Sequence, residues 1–301
     1  MLRRKNKLLA LKLLSLFSVV RGYNILMVVL AQYLASIYIL AHELPLRKVV
    51  FDLNLLLIVT TSALVIASGY IINNFYDAEK DLINKPRKSM LDRQVSQRFK
   101  LTTYFVLNFL SVLAASYVSF RAVLFYSAYI FGIWFYSHKL KKVPFLGNVV
   151  SAILAIAPFF AVFVYYKNFE TVIFVHAMFL FLLILVREMI KDLENMTGDI
   201  AQNYRTIPII YGVGVSKYAI TTLILLTLLP SWLLITKFDV GHMNYYFMGS
   251  VCLLLIFLIL LLRSKSKKHY VWLHNILKLI IIAGVFSILL IDVDLVLNRI
   301  L

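Results

Sequence analysis

Hydrophobic residues recur along the whole chain in long runs that short polar segments separate. Most runs are about 17–25 residues long, which lets an α-helix cross a hydrocarbon core of ~30 Å. The sequence lacks the alternating segments of ~10 residues that are typical of a membrane β-barrel. The pattern therefore predicts an all-α protein with nine transmembrane helices, at residues 14–40, 51–73, 101–119, 121–137, 147–166, 171–189, 216–236, 244–262 and 272–294.

The polar segments between the predicted spans differ strongly in basic charge. If the N-terminus lies in the cytoplasm, most of the 31 Lys and Arg residues fall in cytoplasmic segments. An excess of Lys and Arg marks the cytoplasmic side of a membrane protein. We therefore expect a multi-pass integral membrane protein with its N-terminus inside and its C-terminus outside, in the cytoplasmic membrane if the chain is bacterial.

The composition supports a membrane protein and limits the classes of molecule that it is expected to bind. Hydrophobic residues make up 62% of the chain and charged residues 15%, against about 45–50% and about 25% in soluble proteins. We expect a single transmembrane domain over residues 1–301. The net charge of +17 suggests anionic lipid head groups and an anionic substrate. No DNA- or RNA-binding motif accompanies that charge, so nucleic acid is not expected as a partner.

Acidic residues are few, but they concentrate in two of the predicted cytoplasmic segments. The first segment reads NNFYDAEKDLINKPRK and places Asn73, Asp77 and Asp81 four residues apart. On an α-helix this spacing stacks the three side chains on one face, with Glu79 pointing elsewhere. The same one-face pattern recurs in the second segment at Glu188, Asp192, Asn195 and Asp199.

Carboxylates that share a helix face repel one another, so we expect a cation to bind between the two faces. Oxygen ligands without His or Cys suit Mg²⁺, which usually takes one or two carboxylates together with substrate phosphate oxygens. Basic side chains around both faces, and in the loop SHKLKKVPFLGN, suit the phosphates themselves. They are Lys85, Arg87, Lys88, Lys139, Lys141, Lys142, Arg187, Lys191 and Arg205.

A substrate that needs both a diphosphate site and membrane-spanning helices is an amphiphile. An isoprenyl diphosphate fits, because its head would lie at the acidic faces and its tail between the helices. Metal ions would stabilise the departing diphosphate, and an acceptor would capture the allylic cation. The alternative of another class is a membrane transporter, whose ionisable groups would be expected near the bilayer midplane rather than at helix ends.

Four segments resemble motifs of the UbiA superfamily of intramembrane prenyltransferases. Each lies on the expected cytoplasmic side or faces the expected cavity. The segments are Arg21-x-x-Asn24; Asn73-Asn74-x-x-Asp77-x-x-x-Asp81 followed by Asn84-Lys85-Pro86; Tyr136-Ser137 with Leu140-Lys141 and Gly147-Asn148; and Lys191-Asp192-x-Glu194-Asn195-x-x-Gly198-Asp199 with Arg205-Thr206-x-Pro208.

The resemblance implies a helical bundle around a central cavity and Mg²⁺-dependent transfer of a prenyl group from its diphosphate. It implies catalytic, metal-binding roles for Asp77, Asp81, Asp192 and Asp199, with Asn73 and Asn195 as further metal ligands. It implies substrate contacts from Arg21, Asn24, Asn73, Lys85, Arg87, Tyr136, Lys139, Lys141, Asn148, Lys191 and Arg205.

Two positions depart from the family pattern. Relatives often carry Asp where this chain has Asn195, whose amide oxygen can bind Mg²⁺ but brings no charge. The second metal site is therefore expected to be weaker, or to use Glu194 or Glu188. The usual NKPxRP motif is altered after Asn84, which leaves the role of Arg87 open.

One stretch narrows the resemblance further. The run REMIKDLENMTGDIAQNYRTIPI is similar to the digeranylgeranylglyceryl phosphate synthases of the superfamily, which transfer geranylgeranyl to the hydroxyl of a glycerol-phosphate ether lipid. We therefore expect a prenyl diphosphate donor, membrane lipids as partners, and an amphiphilic acceptor, a prenylglyceryl phosphate. The alternative is a hydrophobic aromatic acceptor, as in quinone biosynthesis.

Overall fold

The computed structural model describes residues 14–292, and long α-helices make up most of that range. No β-strand occurs among these residues, so the predicted all-α class is confirmed. The basic N-terminal segment and the end of the last predicted span lie outside them. The long helices are α1 (Gly22–Ala35), α2 (Leu53–Tyr76), α3 (Gln97–Val118), α4 (Phe120–His138), α5 (Leu146–Tyr166), α6 (Thr171–Ala201), α7 (Gly212–Thr236), α8 (Asn244–Arg263) and α9 (Lys267–Ser287).

Eight helices within residues 14–292 are long and apolar enough to cross a membrane. The ninth long helix, α4, coincides with the predicted fourth span but is not among the eight. Arg121 and several Tyr and Ser residues lower its hydropathy. The structure therefore supports a multi-pass membrane protein, while the count of nine spans and the predicted orientation are not confirmed.

Polar residues between the apolar runs set where several helices begin. The Asp52 carboxylate accepts a hydrogen bond from the Asn54 N–H at 2.9 Å, at the start of α2. Ser119 does the same for α4, where its hydroxyl accepts from the Ala122 N–H at 3.1 Å. Such caps satisfy N–H groups that have no partner in the first helical turn. Ser119 therefore forms the break between α3 and α4.

A proline inside α5 ties three helices together. Pro158 has no N–H, so the carbonyl of Leu154 loses its helical donor. The Tyr129 hydroxyl on α4 donates to that carbonyl at 3.0 Å. The Gln32 side chain on α1 donates to the Pro158 carbonyl at 2.8 Å. Neighbouring helices thus satisfy the backbone at a site where lipid offers no hydrogen bonds.

Two apolar cores flank a central cavity. One core joins α6 to α7, α8 and α9 through side chains such as Ile190, Ile224 and Leu277. The other joins α2, α4 and α5 through side chains such as Val65 and Tyr126. Between them lies a cavity of about 810 Å³ with walls from α1, α2, α4, α5, α6 and α9.

The segment after α2 extends the helix with only a local break. The Asp77 N–H donates to the Asn73 carbonyl at 2.9 Å, and the Asp81 N–H donates to the Asp77 carbonyl at 2.8 Å. The short helices Ala78–Asn84 and Pro86–Asp92 follow. The spacing of four residues therefore keeps Asn73, Asp77 and Asp81 on one side of the chain, as predicted.

Asn84 docks this segment onto α6. Its side-chain oxygen accepts from the Gly198 N–H at 3.1 Å, and its amide donates to the Asn195 carbonyl at 3.1 Å. A Cβ on Gly198 would lie 2.3 Å from the Asn84 Nδ2 atom. Only glycine at this position lets the two acidic segments come together.

A buried polar network fixes the other side of the same segment. Lys100 is 2% exposed, and its Nζ donates to Asn74 Oδ1 at 2.8 Å. The Asn74 amide donates to Asp92 at 3.0 Å. Lys88 and Ser18 also donate to Asp92, each at 2.8 Å. The network joins the helix Pro86–Asp92 to α2, α3 and the helical residues 14–20.

Candidate active site

Both predicted acidic faces open into the central cavity. Residues of each face line it, namely Asn73, Asp77 and Asp81 from the first and Glu188, Asp192 and Asn195 from the second. Asp199 is 1% exposed and does not line the cavity. Its carboxylate lies 3.1 Å from the Nζ atom of Lys80, a residue that does line the cavity. The fold thus brings together two segments that are more than 100 residues apart in the sequence.

Asp77 is the most heavily contacted acid of the site. The Lys141 Nζ donates to its Oδ1 at 2.7 Å, the Tyr204 hydroxyl donates to the same atom at 2.9 Å, and Lys80 Nζ lies at 3.7 Å. Burial opposes ionisation, but the ammonium groups of Lys80 and Lys141 hold the pKa of this carboxyl well below its usual range. Asp77 is therefore a carboxylate surrounded by cations.

Lys80 and Tyr204 belong to this cluster, although the sequence did not single them out. Lys80 lies between Asp77 and Asp199, and its Nζ is 4.3 Å from the centre of the Tyr204 ring. Burial and the charge of Asp77 raise the pKa of Tyr204, so this group stays a hydroxyl donor. The i+3 spacing of Lys80 from Asp77 was the one signal that could have identified Lys80.

Of the carboxylates in the second acidic face, Glu188 and Asp199 pair with basic side chains, whereas Asp192 has no salt bridge within residues 14–292. Asp192 accepts a hydrogen bond from the Asn148 amide at 2.8 Å, which joins two residues of separate motifs. Glu188 instead pairs with Arg187 at 3.0 Å and with Lys191 at 2.8 Å. Within residues 14–292, the side-chain oxygen of Asn195 is buried without a hydrogen-bond partner.

Glu194 faces a different group of residues. It lies 3.8 Å from Lys85 and 2.7 Å from His274 on α9. Glu188 and Glu194, the two acids expected to replace the missing Asp at position 195, are thus already in ion pairs. His274 also lines the cavity.

The Arg21-x-x-Asn24 segment meets α2 at Tyr70. The guanidinium of Arg21 lies 5.0 Å from the centre of the Tyr70 ring, and the Asn24 amide donates to the Tyr70 hydroxyl at 3.0 Å. Arg21 has a φ of 51° between two helical stretches, a conformation that is uncommon outside glycine. Tyr136, from α4, lines the same cavity.

Three predicted substrate-binding residues lie away from the cavity. Arg87, Lys139 and Arg205 are exposed and do not line it. Arg87 lies on the short helix Pro86–Asp92, and Lys139 and Arg205 follow the C-terminal ends of α4 and α6. Their substrate contacts stay predictions. Glu79 is also exposed, pairs with Arg93 at 3.0 Å, and points away from the acidic face as expected.

The acidic residues do not form a ready metal site. No group of three or more His, Cys, Asp or Glu side chains in the described part of the chain is arranged to hold a metal ion. Lys80 and Lys141 instead neutralise Asp77. The donor chemistry still fits Mg²⁺, because the unpartnered oxygen of Asn195 and the carboxylates of Asp81 and Asp192 are hard oxygen ligands at one cavity.

Deeper in the bundle the cavity becomes apolar. Its walls there come from α1, α2, α4 and α5 and include Met27, Val28, Ile66, Ile133 and Leu154. A single chamber thus offers a charged mouth at the helix ends and an apolar interior between the helices. Such a chamber can hold an amphiphile with a phosphorylated head.

Known proteins share both the sequence and the fold. A sequence profile of the UbiA prenyltransferase family matches residues 29–278. The chain is 29% identical over 239 residues to digeranylgeranylglyceryl phosphate synthase of Thermococcus gammatolerans, a match that covers 78% of this chain and 85% of the relative. It is 33% identical over 193 residues to the synthase of the same name from Methanopyrus kandleri, covering 60% of this chain and 67% of the relative.

Solved structures match over nearly the full length. A structure from work on digeranylgeranylglyceryl phosphate synthase in membranes superposes with a TM-score of 0.69 and 23% identity, covering 92% of this chain and 97% of that chain. A UbiA homologue from Archaeoglobus fulgidus bound to GPP and Mg²⁺ gives a TM-score of 0.66 at 14% identity, covering 91% and 99%. At these identities the likeness shows the fold.

The family profile spans most of the chain, and the fold agrees with it, so the transporter alternative is set aside. This chain belongs to the UbiA prenyltransferase family and is an integral membrane prenyltransferase.

Proposed function

We propose that this protein transfers a geranylgeranyl group from its diphosphate to the hydroxyl of a prenylglyceryl phosphate, with Mg²⁺ as cofactor. The observation that carries the proposal is the single chamber of about 810 Å³ with two acidic faces and several lysines at its mouth and apolar walls inside. The relatives named above are digeranylgeranylglyceryl phosphate synthases, and a homologue with this fold binds GPP and Mg²⁺.

The donor head would bind at the mouth. Lys141 and Lys80 present ammonium groups beside Asp77, and ammonium groups are common phosphate partners. Asp81, Asp192 and Asn195 would hold Mg²⁺, with Asp77, Asn73 and Asp199 as the further predicted ligands. When bound, Mg²⁺ would neutralise the departing diphosphate. The ammonium groups of Lys80 and Lys141 would add to that neutralisation.

The chain's own residues would also orient the reactants. Asn148 holds the Asp192 carboxylate at the wall, and Tyr204 and the two lysines hold Asp77. The apolar interior would exclude water from the prenyl chain, so that the acceptor hydroxyl captures the allylic carbon. We further propose that the cavity mouth faces the cytoplasm, because the basic segments lie at that end of the bundle.

The test is a transfer assay with purified protein in lipid nanodiscs. Radiolabelled geranylgeranyl diphosphate and Mg²⁺ would be supplied with either geranylgeranylglyceryl phosphate or an aromatic acid acceptor. We expect a labelled diether phosphate product with the first acceptor and none when Mg²⁺ is omitted. Product only with the aromatic acceptor would contradict the acceptor assignment and favour the quinone-type alternative.

A further inference from the structure

Four charged residues in the cavity wall have no salt bridge to another residue in the described range. The wall carries the basic residues Arg21, Lys80, Lys85, Lys88, Lys141, Arg187, Lys191 and Lys278 and the acidic residues Asp77, Asp81, Glu188, Asp192 and Glu194. Within residues 14–292, all of these pair with an opposite charge except Asp81, Asp192, Arg21 and Lys278.

The two acids and the two bases without a salt bridge in the described residues are expected to bind ions of opposite charge. Asp81 and Asp192 are candidate Mg²⁺ ligands, so a metal ion would offset their charge. Lys278 lies within α9 and Arg21 directly precedes α1, and neither forms a salt bridge within residues 14–292. Charged groups inside membrane-spanning helices are costly, and they mark binding sites for substrates and ions.

Lys278 lies among other cations. Arg21, Arg187 and Lys191 line the same cavity and repel the Lys278 ammonium, whereas Glu194 attracts it. The two neighbouring acids are already engaged, because Glu188 holds both Arg187 and Lys191, and Glu194 contacts His274 and Lys85. The charge around Lys278 is therefore positive overall, and it comes from Arg21, Arg187 and Lys191 rather than from the Lys80 and Lys141 cluster.

The helix that carries Lys278 continues as an apolar wall. His274 and Lys278 are one turn apart, and Ile281, Ile282 and Val285 follow on the same side of α9, all lining the cavity. A spacing of three or four residues places them along one helix face. This face offers a cationic position followed by an apolar track that leads into the bundle.

We infer that Lys278, with Arg21 and Arg187, forms a second anion subsite that binds the phosphate of the acceptor lipid. The inference rests on the proposed function, since it assigns the phosphate of a prenylglyceryl phosphate to this side of the cavity. The acceptor's prenyl chain lies along the apolar face of α9. The donor diphosphate lies at the Asp77 cluster, so the two phosphorylated heads bind to separate cations.

The test separates the two substrates kinetically. Lys278→Met removes the charge and keeps the length and the apolar stem of the side chain. The KM for geranylgeranylglyceryl phosphate should rise by roughly 10- to 100-fold. This is the loss of affinity expected when a hydrogen bond to a charged group is removed. The KM for geranylgeranyl diphosphate should change less than about two-fold, because its head binds elsewhere. Lys278→Arg should restore most of the acceptor affinity.

Two controls keep the result specific. Lys268→Met removes an exposed lysine from the same helix and should leave both KM values unchanged. Geranylgeranylglycerol, which lacks the phosphate, should be a poor acceptor for the wild-type protein, and Lys278→Met should not weaken it further. A loss of phosphate preference in the variant is an effect that a general loss of stability does not produce.

Each outcome is decisive. An unchanged acceptor KM in Lys278→Met, or a rise confined to the donor KM, overturns the inference. Binding of geranylgeranylglyceryl phosphate is also measured without donor or Mg²⁺. If the wild-type protein binds this lipid through Lys278 but forms no product from it, the proposed function fails and the subsite stands. If the wild-type protein does not bind it, the subsite fails.

Discussion

Replacing Gly198 by alanine should separate the two acidic segments of the active site. The new Cβ would lie 2.3 Å from Nδ2 of Asn84, 2.7 Å from its Cγ and 2.9 Å from the backbone oxygen of Lys80. The Asn84 side chain can rotate away, but the Lys80 carbonyl belongs to the backbone of the helix Ala78–Asn84. The segment that carries Asp77 and Asp81 must therefore shift.

The magnitude follows from the contacts that the shift removes. Asn84 would lose its bonds with the Gly198 N–H and the Asn195 carbonyl, both 3.1 Å long, and a buried group left unsatisfied costs about 1–3 kcal/mol. Overpacking adds about 1–3 kcal/mol. Alanine gains up to about 1 kcal/mol of helix propensity over glycine. The net loss of stability is about 1–5 kcal/mol.

The assay compares thermal unfolding and transfer activity with a matched glycine. Gly249 lies within α8, and a Cβ there would meet nothing within 4 Å, so Gly249→Ala should keep both activity and the unfolding midpoint. Gly198→Ala should lower the midpoint and the transfer rate together. In Asn84→Ala, the added Gly198→Ala change should cost less than in the wild-type protein, because one clash partner is gone.

The result that refutes this reasoning is a Gly198→Ala protein with wild-type midpoint and rate. Additive effects of Asn84→Ala and Gly198→Ala would refute the part that assigns the strain to their contact. Either result would mean that the segment has more freedom against α6 than the two hydrogen bonds allow.

Three further outcomes are expected. Asp77→Ala and Asp192→Ala should each abolish transfer while the protein still folds, since each removes charge that would hold Mg²⁺; full activity in purified Asp77→Ala would contradict the metal assignment. EDTA should stop product formation and added Mg²⁺ should restore it, whereas an unchanged rate in EDTA would argue against a metal cofactor. Lys100→Met should destabilise the protein by about 1–3 kcal/mol, because Asn74 Oδ1 stays buried without its donor. Exposed Arg98→Met on the same helix is its control, and equal unfolding midpoints would exclude a structural role for the network.

Much of the site could be predicted because it depends on local spacing. Residues four apart share a helix face whatever the rest of the chain does, so Asn73, Asp77 and Asp81 line one cavity as expected. The count of nine spans was less secure, because α4 is rich in Tyr and carries Arg121. Amphipathic aromatic residues lower hydropathy without preventing a helix.

Tyr204 and His274 could not be assigned in advance, and only the spacing from Asp77 pointed to Lys80, because the other partners of these residues come from distant helices. Lys80 contacts Asp199 and Tyr204 more than 100 residues away, and His274 contacts Glu194 across two helices. A lysine in an acidic run is usually a solvated neighbour. The packing of Asn84 against Gly198 brings the segment that carries Lys80 against α6, where Lys80 meets Asp199.

The sequence by itself determined the helical class, the membrane setting, the two acidic faces and the family, because hydrophobic run length and residue spacing act locally. Only the tertiary structure decided which charges meet. It pairs Asp77 with Lys80 and Lys141 and leaves Asp81, Asp192, Arg21 and Lys278 without a salt bridge in the described residues. The physical reason is that a charge in a membrane cavity is stabilised by neighbours within a few ångströms, and helix packing brings those neighbours from distant parts of the chain.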